Sequence, residues 1–255
     1  GVLYFGNLNR VIEFDGERWR LIETPGTSYV RGLAADAEGT VWIGGFNEVG
    51  RLVPGADGLL VYESLRARVP AEVGDLGTVW FVHATPSGVY FQSSTAVLRW
   101  NGAGFDHWLL PEKRLALSRP WEDTIVVTTV REWNVVRPGG RLESIARPPP
   151  EINLPRFILP DGPGRALVGT TTEGLWWFEG GEFRRRPSGL AQWIEDAKLY
   201  DSAPLPDGRL VLTSLQGGAL VVDADFRPEV LLDDAAGLHT DTVIAAHLDR
   251  RGVLW

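Results

Sequence analysis

The chain has no cysteine and no methionine. Disulfides and thiol chemistry are thereby excluded, but the compartment stays open, because periplasmic proteins need no cysteine. Lysine is scarce, two against 23 arginines, a ratio that reads as coding bias rather than function. Positive charge is in deficit: 25 Lys and Arg against 33 Asp and Glu give a net charge of −8. The resulting pI near 5.1 argues against a nucleic-acid-binding surface. The one basic run, Arg184-Arg185-Arg186, reads as a solvated strand end rather than a phosphate site. No apolar run approaches the ~20 residues of a membrane span. No signal peptide is visible, so whatever directs or anchors a parent protein is expected outside this segment.

Against these absences stand eleven Trp and thirty Gly, a composition suited to strands and turns rather than helices. An apolar content of 44% is enough for a sizeable core. The chain also repeats itself. Asp36-Ala-Glu-Gly39-Thr-Val-Trp42 recurs as Asp249-Arg-Arg-Gly252-Val-Leu-Trp255, and the second half of the unit recurs at Gly1-Val-Leu-Tyr-Phe-Gly-Asn7. Weaker copies begin at Gly88, Asp123, Gly164 and Gly208. Starts at 1, 39, 88, 123, 164, 208 and 252 are spaced by 38, 49, 35, 41, 44 and 44 residues. A drifting period of roughly 40 to 50 residues with several strands per repeat is the pattern of a β-propeller.

One repeat shows the grammar of a blade. Tyr29–Ala35 alternates as a strand, Asp36–Gly39 turns, and Val41–Ile43 forms a second strand. Arg51–Val53 and Leu59–Tyr62 complete four antiparallel strands, a to d from the axis outward. Further blades are expected over Val79–Trp108, Leu115–Ile145, 156–186 and 199–232, with a short helical turn between Gly189 and Asp196. Arg147-Pro-Pro-Pro150 and Leu154-Pro155 cannot pair inside a sheet and mark a long connection. Gly1 to Ile22 supplies strands b, c and d, and Val243–Leu248 with Val253–Trp255 supplies a and b. Seven b strands follow, so the expectation is an all-β, single-domain propeller over 1–255. It would be most of a seven-bladed ring of four-stranded antiparallel blades. On this reading both ends are truncated: the first blade lacks strand a, and the last lacks c and d.

Val30-Arg-Gly-Leu-Ala-Ala-Asp36 followed by Gly39-Thr-Val-Trp-Ile-Gly44 resembles the two-component regulator propeller repeat. So do Gly1–Asn7 with Phe14-Asp-Gly-Glu-Arg-Trp19, Gly174-Leu-Trp-Trp-Phe178, Leu205-Pro-Asp-Gly208, and Gly237-Leu-His-Thr-Asp-Thr-Val243. The resemblance spans nearly the whole chain and is weakest at 115–150. It implies a sensor domain on the periplasmic side of the bacterial inner membrane. In that family a small all-β domain, a membrane helix and an output domain (histidine kinase, diguanylate cyclase or helix-turn-helix regulator) usually follow. Contact with the membrane is implied only through such downstream segments, and a homodimer is implied for the parent receptor.

Candidate chemistry is sparse. Asp36 has one nearby carboxylate, Glu38, whereas Ca²⁺ takes six or more oxygens, so Asp36 and Asp249 read as turn caps and Trp42 and Trp255 as packing between blades. Neighbouring acids at Glu122-Asp123, Glu195-Asp196 and Asp233-Asp234 point to opposite faces of a strand and do not form a glycosidase pair. His83, His107, His239 and His247 lack metal spacing. No nucleophile motif is present, and no cofactor or metal is expected. The varied b–c loops, in contrast, carry hydrogen-bonding groups: Asn7, Asn47, Glu48, Arg131, Thr171, Glu173 and Gln216. These are the expected ligand contacts of a non-catalytic sensor for a small molecule, such as a saccharide, or for a protein signal. The rival expectations are a propeller lyase or glycosidase working in the central channel, and a protein-docking scaffold.

Overall fold

Alternating apolar residues and tight Asp/Gly turns produce short strands throughout. The computed structural model describes residues 1–110, 117–129, 131–137, 139, 141–152, 155–249 and 251–255. Leu115, Leu154 and Arg250, each part of an expected element, lie outside these. Two compact units are distinguished: Gly1–Val127 with Asn134–Ser144, and Thr128–Trp133 with Ile145–Trp255.

In the first unit, β1 (Leu3–Asn7), β2 (Arg10–Phe14) and β3 (Trp19–Glu23) form a three-stranded antiparallel sheet. A four-stranded sheet follows from β4 (Val30–Ala35), β5 (Val41–Gly45), β6 (Glu48–Pro54) and β7 (Leu60–Ser64), and another from β8 (Val79–Thr85), β9 (Gly88–Ser93), β10 (Ala96–Trp100) and β11 (Phe105–Leu109). The fourth sheet comprises β12 (Leu117–Trp121), β13 (Thr124–Thr128), β14 (Trp133–Arg137) and β15 (Arg141–Ala146). The second unit holds β16 (Pro155–Pro160), β17 (Arg165–Thr170), β18 (Leu175–Glu179) and β19 (Glu182–Arg186). A seven-residue helix α1 (Ala191–Ala197) then leads into β20 (Leu199–Pro204), β21 (Leu210–Ser214), β22 (Ala219–Val222) and β23 (Pro228–Leu232).

The expected blades and the helical turn therefore form, but the expected count of seven is corrected to six. Six sheets are present among the described residues. The seventh copy of the repeat, around Gly252, builds no sheet. Its contact with Val243–Leu248 is one isolated bridge, Leu248 to Leu254, flanked by reciprocal His247–Trp255 backbone hydrogen bonds of 2.8 and 3.0 Å. Two short strands without a third to pair with do not make a sheet of their own.

Apolar side chains from successive sheets interdigitate. In the first unit Trp42 and Val49 meet Val79, Phe91 and Leu98, while Tyr90, Val97 and Trp108 meet Ile125 and Val136. In the second, Phe157, Leu167 and Leu175 pack with Leu190, Ile194, Leu199, Leu212 and Leu220. The helix thus serves as an apolar wedge that places the start of β20 beside the β17–β18 loop.

Candidate functional site

Thr170 ends β17 and closes the next loop on itself. Its N–H and hydroxyl both donate to the Gly174 carbonyl, at 3.1 and 2.9 Å. The three residues inside that closure, Thr171, Thr172 and Glu173, are thereby pushed outward. They are tied on two sides: the Leu199 N–H donates to the Thr171 carbonyl at 3.0 Å, and an Arg185 amino group donates to the Glu173 carbonyl at 3.1 Å. A rigid loop is the better platform for recognition, because little ordering remains to oppose binding.

Beside this loop lies a groove of about 610 Å³, lined by Pro150, Glu151, Arg156, Thr170, Thr171, Thr172 and Glu173. That volume is within the range of small-molecule sites. Arg156 projects from β16. Its Nε–H donates to Thr171 Oγ1 at 2.6 Å, and its guanidinium lies 5.1 Å from the Tyr200 ring centroid. Thr172 Oγ1 donates to Glu173 Oε1 at 3.3 Å. The lining offers one guanidinium, two carboxylates and three hydroxyls, a set that can hydrogen-bond a polar solute from several directions. Its one contact between a hydroxyl and a carboxylate, among the described residues, is that long Thr172–Glu173 bond between chain neighbours. No group of three or more His, Cys, Asp or Glu that could hold a metal occurs among the described residues.

Of the seven residues expected from the b–c loops, Thr171 and Glu173 line this groove. Gln216 stands on the β21–β22 loop, exposed, with its N–H bound to the Ala197 carbonyl at 3.0 Å. Arg131 is exposed on the β13–β14 loop, its N–H donating to Thr129 Oγ1 at 3.2 Å. In the first unit Asn7 ends β1, exposed. Asn47 sits in the β5–β6 turn with a φ of 52°, and its Oδ1 accepts from the Leu76 N–H at 3.1 Å and the Arg66 Nε–H at 3.3 Å. Glu48 is buried, and its Oε1 accepts from the Val49 N–H and from the hydroxyls of Tyr62 and Ser64 at 3.2, 3.0 and 2.6 Å. Asn47 and Glu48 thus spend hydrogen-bonding capacity inside the protein. Sequence reasoning missed Pro150, Glu151, Arg156, Thr170 and Thr172. Thr172 shares the loop with Thr171, but Glu151 and Arg156 belong to no b–c loop and join the groove only through tertiary geometry.

Among the histidines, His83 has structural partners. His83 Nε2 lies 2.9 Å from Ser118 Oγ and 3.1 Å from the Ser118 carbonyl oxygen. Burial, with Arg119 nearby, lowers its pKa to about 3, so the imidazole is neutral at physiological pH. This Ser–His contact is no hydrolytic site, because Ser118 is fully buried.

No family model matches the chain, and no curated protein does. Solved structures do. The extracellular domain assigned to a one-component system, BT4673 from B. thetaiotaomicron, overlays the whole chain with a TM-score of 0.73 at 15% identity, over 35% of its own length. The extracellular domain assigned to a hybrid two-component system, BT3049 from the same organism, also overlays the whole chain, with a TM-score of 0.72 at 14% identity over 37% of its length. A streptogramin B lyase overlays with a TM-score of 0.70 at 15% identity, over 86% of its length. The chain therefore spans little more than a third of the two extracellular domains, and the likeness at these identities is one of fold. Among the described residues no helix is long and apolar enough to cross a membrane.

Proposed function

We propose that this chain is the extracytoplasmic sensing module of a bacterial transmembrane signalling receptor of the two-component type. It acts on the periplasmic side of the inner membrane and is not itself catalytic. The observation that carries this reading is the overlay of the entire chain on two extracellular domains assigned to signalling systems. A polar groove beside a loop held on two sides fits a binding role. In this reading a polar small molecule seats against Thr171, Glu173, Glu151 and the Arg156 guanidinium.

A lyase is the second reading, favoured by the overlay on streptogramin B lyase. One experiment separates the two. Thermal-shift screening against panels of oligosaccharides, amino acids and streptogramin B should return a polar ligand that raises the melting temperature and is recovered unchanged. Its effect should be lost in Arg156→Ala and reduced in Thr171→Val. Conversion of a bound compound into product would replace the sensor with an enzyme. Undiminished binding by both variants would move the site elsewhere.

A further inference from the structure

Four of the six sheets carry an arginine–carboxylate contact between their two outermost strands. In the first, Glu13 of β2 stands opposite Arg20 of β3, with two contacts of 2.9 Å. In the second, Arg51 of β6 faces Glu63 of β7 at 2.7 Å. In the third, Arg99 of β10 faces Asp106 of β11, Nε to Oδ2 being 3.0 Å. In the fourth, Arg137 of β14 reaches Glu143 of β15 at 2.6 Å.

Two sheets lack this contact: the outer ladder of β20–β23 is apolar, whereas that of β16–β19 is charged but unmatched. The latter pairs Trp176 with Arg185, Trp177 with Arg184 and Leu175 with Arg186, and sets Glu179 against Glu182, two like charges directly opposite. Among the described residues none of the three arginines pairs with a carboxylate, although the protein as a whole is acidic. Two of them are held on aromatic rings instead: Arg185 is 5.8 Å from the Trp176 centroid, and Arg186 is 4.3 Å from that of Phe226 and 5.8 Å from that of Trp177. Arg185 also gives one N–H to the Glu173 carbonyl and Arg186 one to the Pro187 carbonyl, but a guanidinium propped on an aromatic face keeps its charge and its remaining donors, and loses less freedom on meeting an anion.

β19 is also the last strand of its sheet, paired on one side with β18 and making no other backbone ladder among the described residues. We infer that the outer edge of β19 takes an acidic, extended segment of a partner protein as a fifth strand. The incoming backbone pairs with the free edge, while its carboxylates meet Arg184 on one face of the sheet and Arg185 on the other. This supplies from outside the arginine–carboxylate contact that four other sheets make internally. Strand addition to an open edge is a general mode of peptide recognition. The same arginines repel basic strands and give apolar ones nothing to pair with, so the edge selects by charge as well as by hydrogen bonding. The inference does not depend on the groove's being a ligand site.

The test is fluorescence anisotropy of the whole chain with a labelled peptide of alternating glutamate and valine, at low and at physiological salt. Binding is expected, weaker at the higher salt. The dissociation constant should rise about tenfold in Arg184→Gln and in Arg185→Gln. Circular dichroism melting should show both variants folded. Methylating alternate backbone nitrogens of the peptide should abolish binding, and hydrogen exchange should show new protection within residues 182–186 in the complex. Failure of the peptide to bind at either salt would overturn the inference. So would undiminished binding of the N-methylated peptide, or competition by dextran sulfate as strong as by unlabelled peptide, because either would mark a plain polyanion surface. Unchanged affinity in both variants would place the peptide elsewhere.

Discussion

The Asp36 carboxylate accepts a 2.7 Å hydrogen bond from Trp42 Nε1–H while its other oxygen accepts from the Thr40 N–H at 2.7 Å. Gly39, at a φ of 86°, returns its N–H to the Asp36 carbonyl and closes the turn. The same bonds recur at the far end of the chain: Asp249 accepts from the Arg251 and Val253 N–H groups at 2.8 and 2.9 Å and from Trp255 Nε1–H at 3.2 Å. At Asp36 the motif fastens the first hairpin of a blade and aims an indole at its neighbour, whereas at Asp249 it closes a turn with the Trp255 indole 40% exposed, not packed between blades as expected. Trp42 is 4% exposed and packs among Phe91, Leu98 and Trp100.

Asp36→Ala removes the turn cap and leaves the buried Trp42 N–H without an acceptor. The expected loss is about 2 kcal/mol, set by the cost of an unsatisfied buried donor plus a cap. Asp36→Asn retains an acceptor and should lose less than half of that. Urea unfolding of the three proteins checks the order; equal stability of wild type and Asp36→Ala would show the bond to be idle.

Asp249 extends the same argument to pH. The N–H of Val253 above all, with Trp255 and Arg251, holds its carboxyl down to about 2. A carboxylate whose folded pKa lies below its unfolded value stabilises the folded state above the unfolded pKa. That contribution is lost as pH falls through the folded pKa, here between about 4 and 2. Carbon-detected NMR titration should show Asp249 ionised at pH 3, and Trp255→Phe should raise its midpoint.

How much of this was legible in advance follows from how local each feature is. Asp36, Gly39 and Trp42 lie within one hairpin, so their spacing carries the whole arrangement, and the turn reading of Asp249 is of the same kind. The number of blades is not local: a strand such as Val253–Trp255 counts only if partners pair with it. The groove is equally non-local, because Arg156 reaches Thr171 from a different strand and Glu151 joins the lining from the segment before it. Arg184–Arg186 reads from sequence as a solvated strand end. Only the register, with Leu175, Trp176 and Trp177 opposite, shows that these charges face no carboxylate while those of four other sheets do.

His83 makes stability fall on mild acidification. Its folded pKa of about 3 lies below the ordinary histidine value because burial disfavours the imidazolium. Between about pH 6.5 and 3 the unfolded chain therefore binds a proton that the folded chain refuses. Stability should decline by up to about 1.4 kcal/mol per pH unit across that window and be flat above it, as far as this group is concerned. His83→Gln should flatten the decline between pH 6.5 and 5 in denaturant titrations; an unchanged slope would assign it to other groups.

Glu48 supplies the last prediction. Its Oε1 accepts from the hydroxyls of Tyr62 and Ser64 and from its neighbour's N–H, and burial followed by the Glu48 charge raises the Tyr62 pKa above the ordinary tyrosine value. Glu48→Ala strands two hydroxyls and an amide and should cost about 2–4 kcal/mol, whereas Glu48→Gln keeps an acceptor and should cost about 1. The other oxygen, Oε2, is approached by Gly26, which has a φ of 97°, and a Cβ there would lie 2.7 Å from it. Gly26→Ala should therefore destabilise by about 1–3 kcal/mol through backbone strain and this clash together. The two sites share one contact, so Gly26→Ala with Glu48→Ala should lose less than the sum of the single losses. Guanidinium unfolding of the four proteins closes the cycle, and strict additivity would show that Gly26 does not bear on the Glu48 carboxylate.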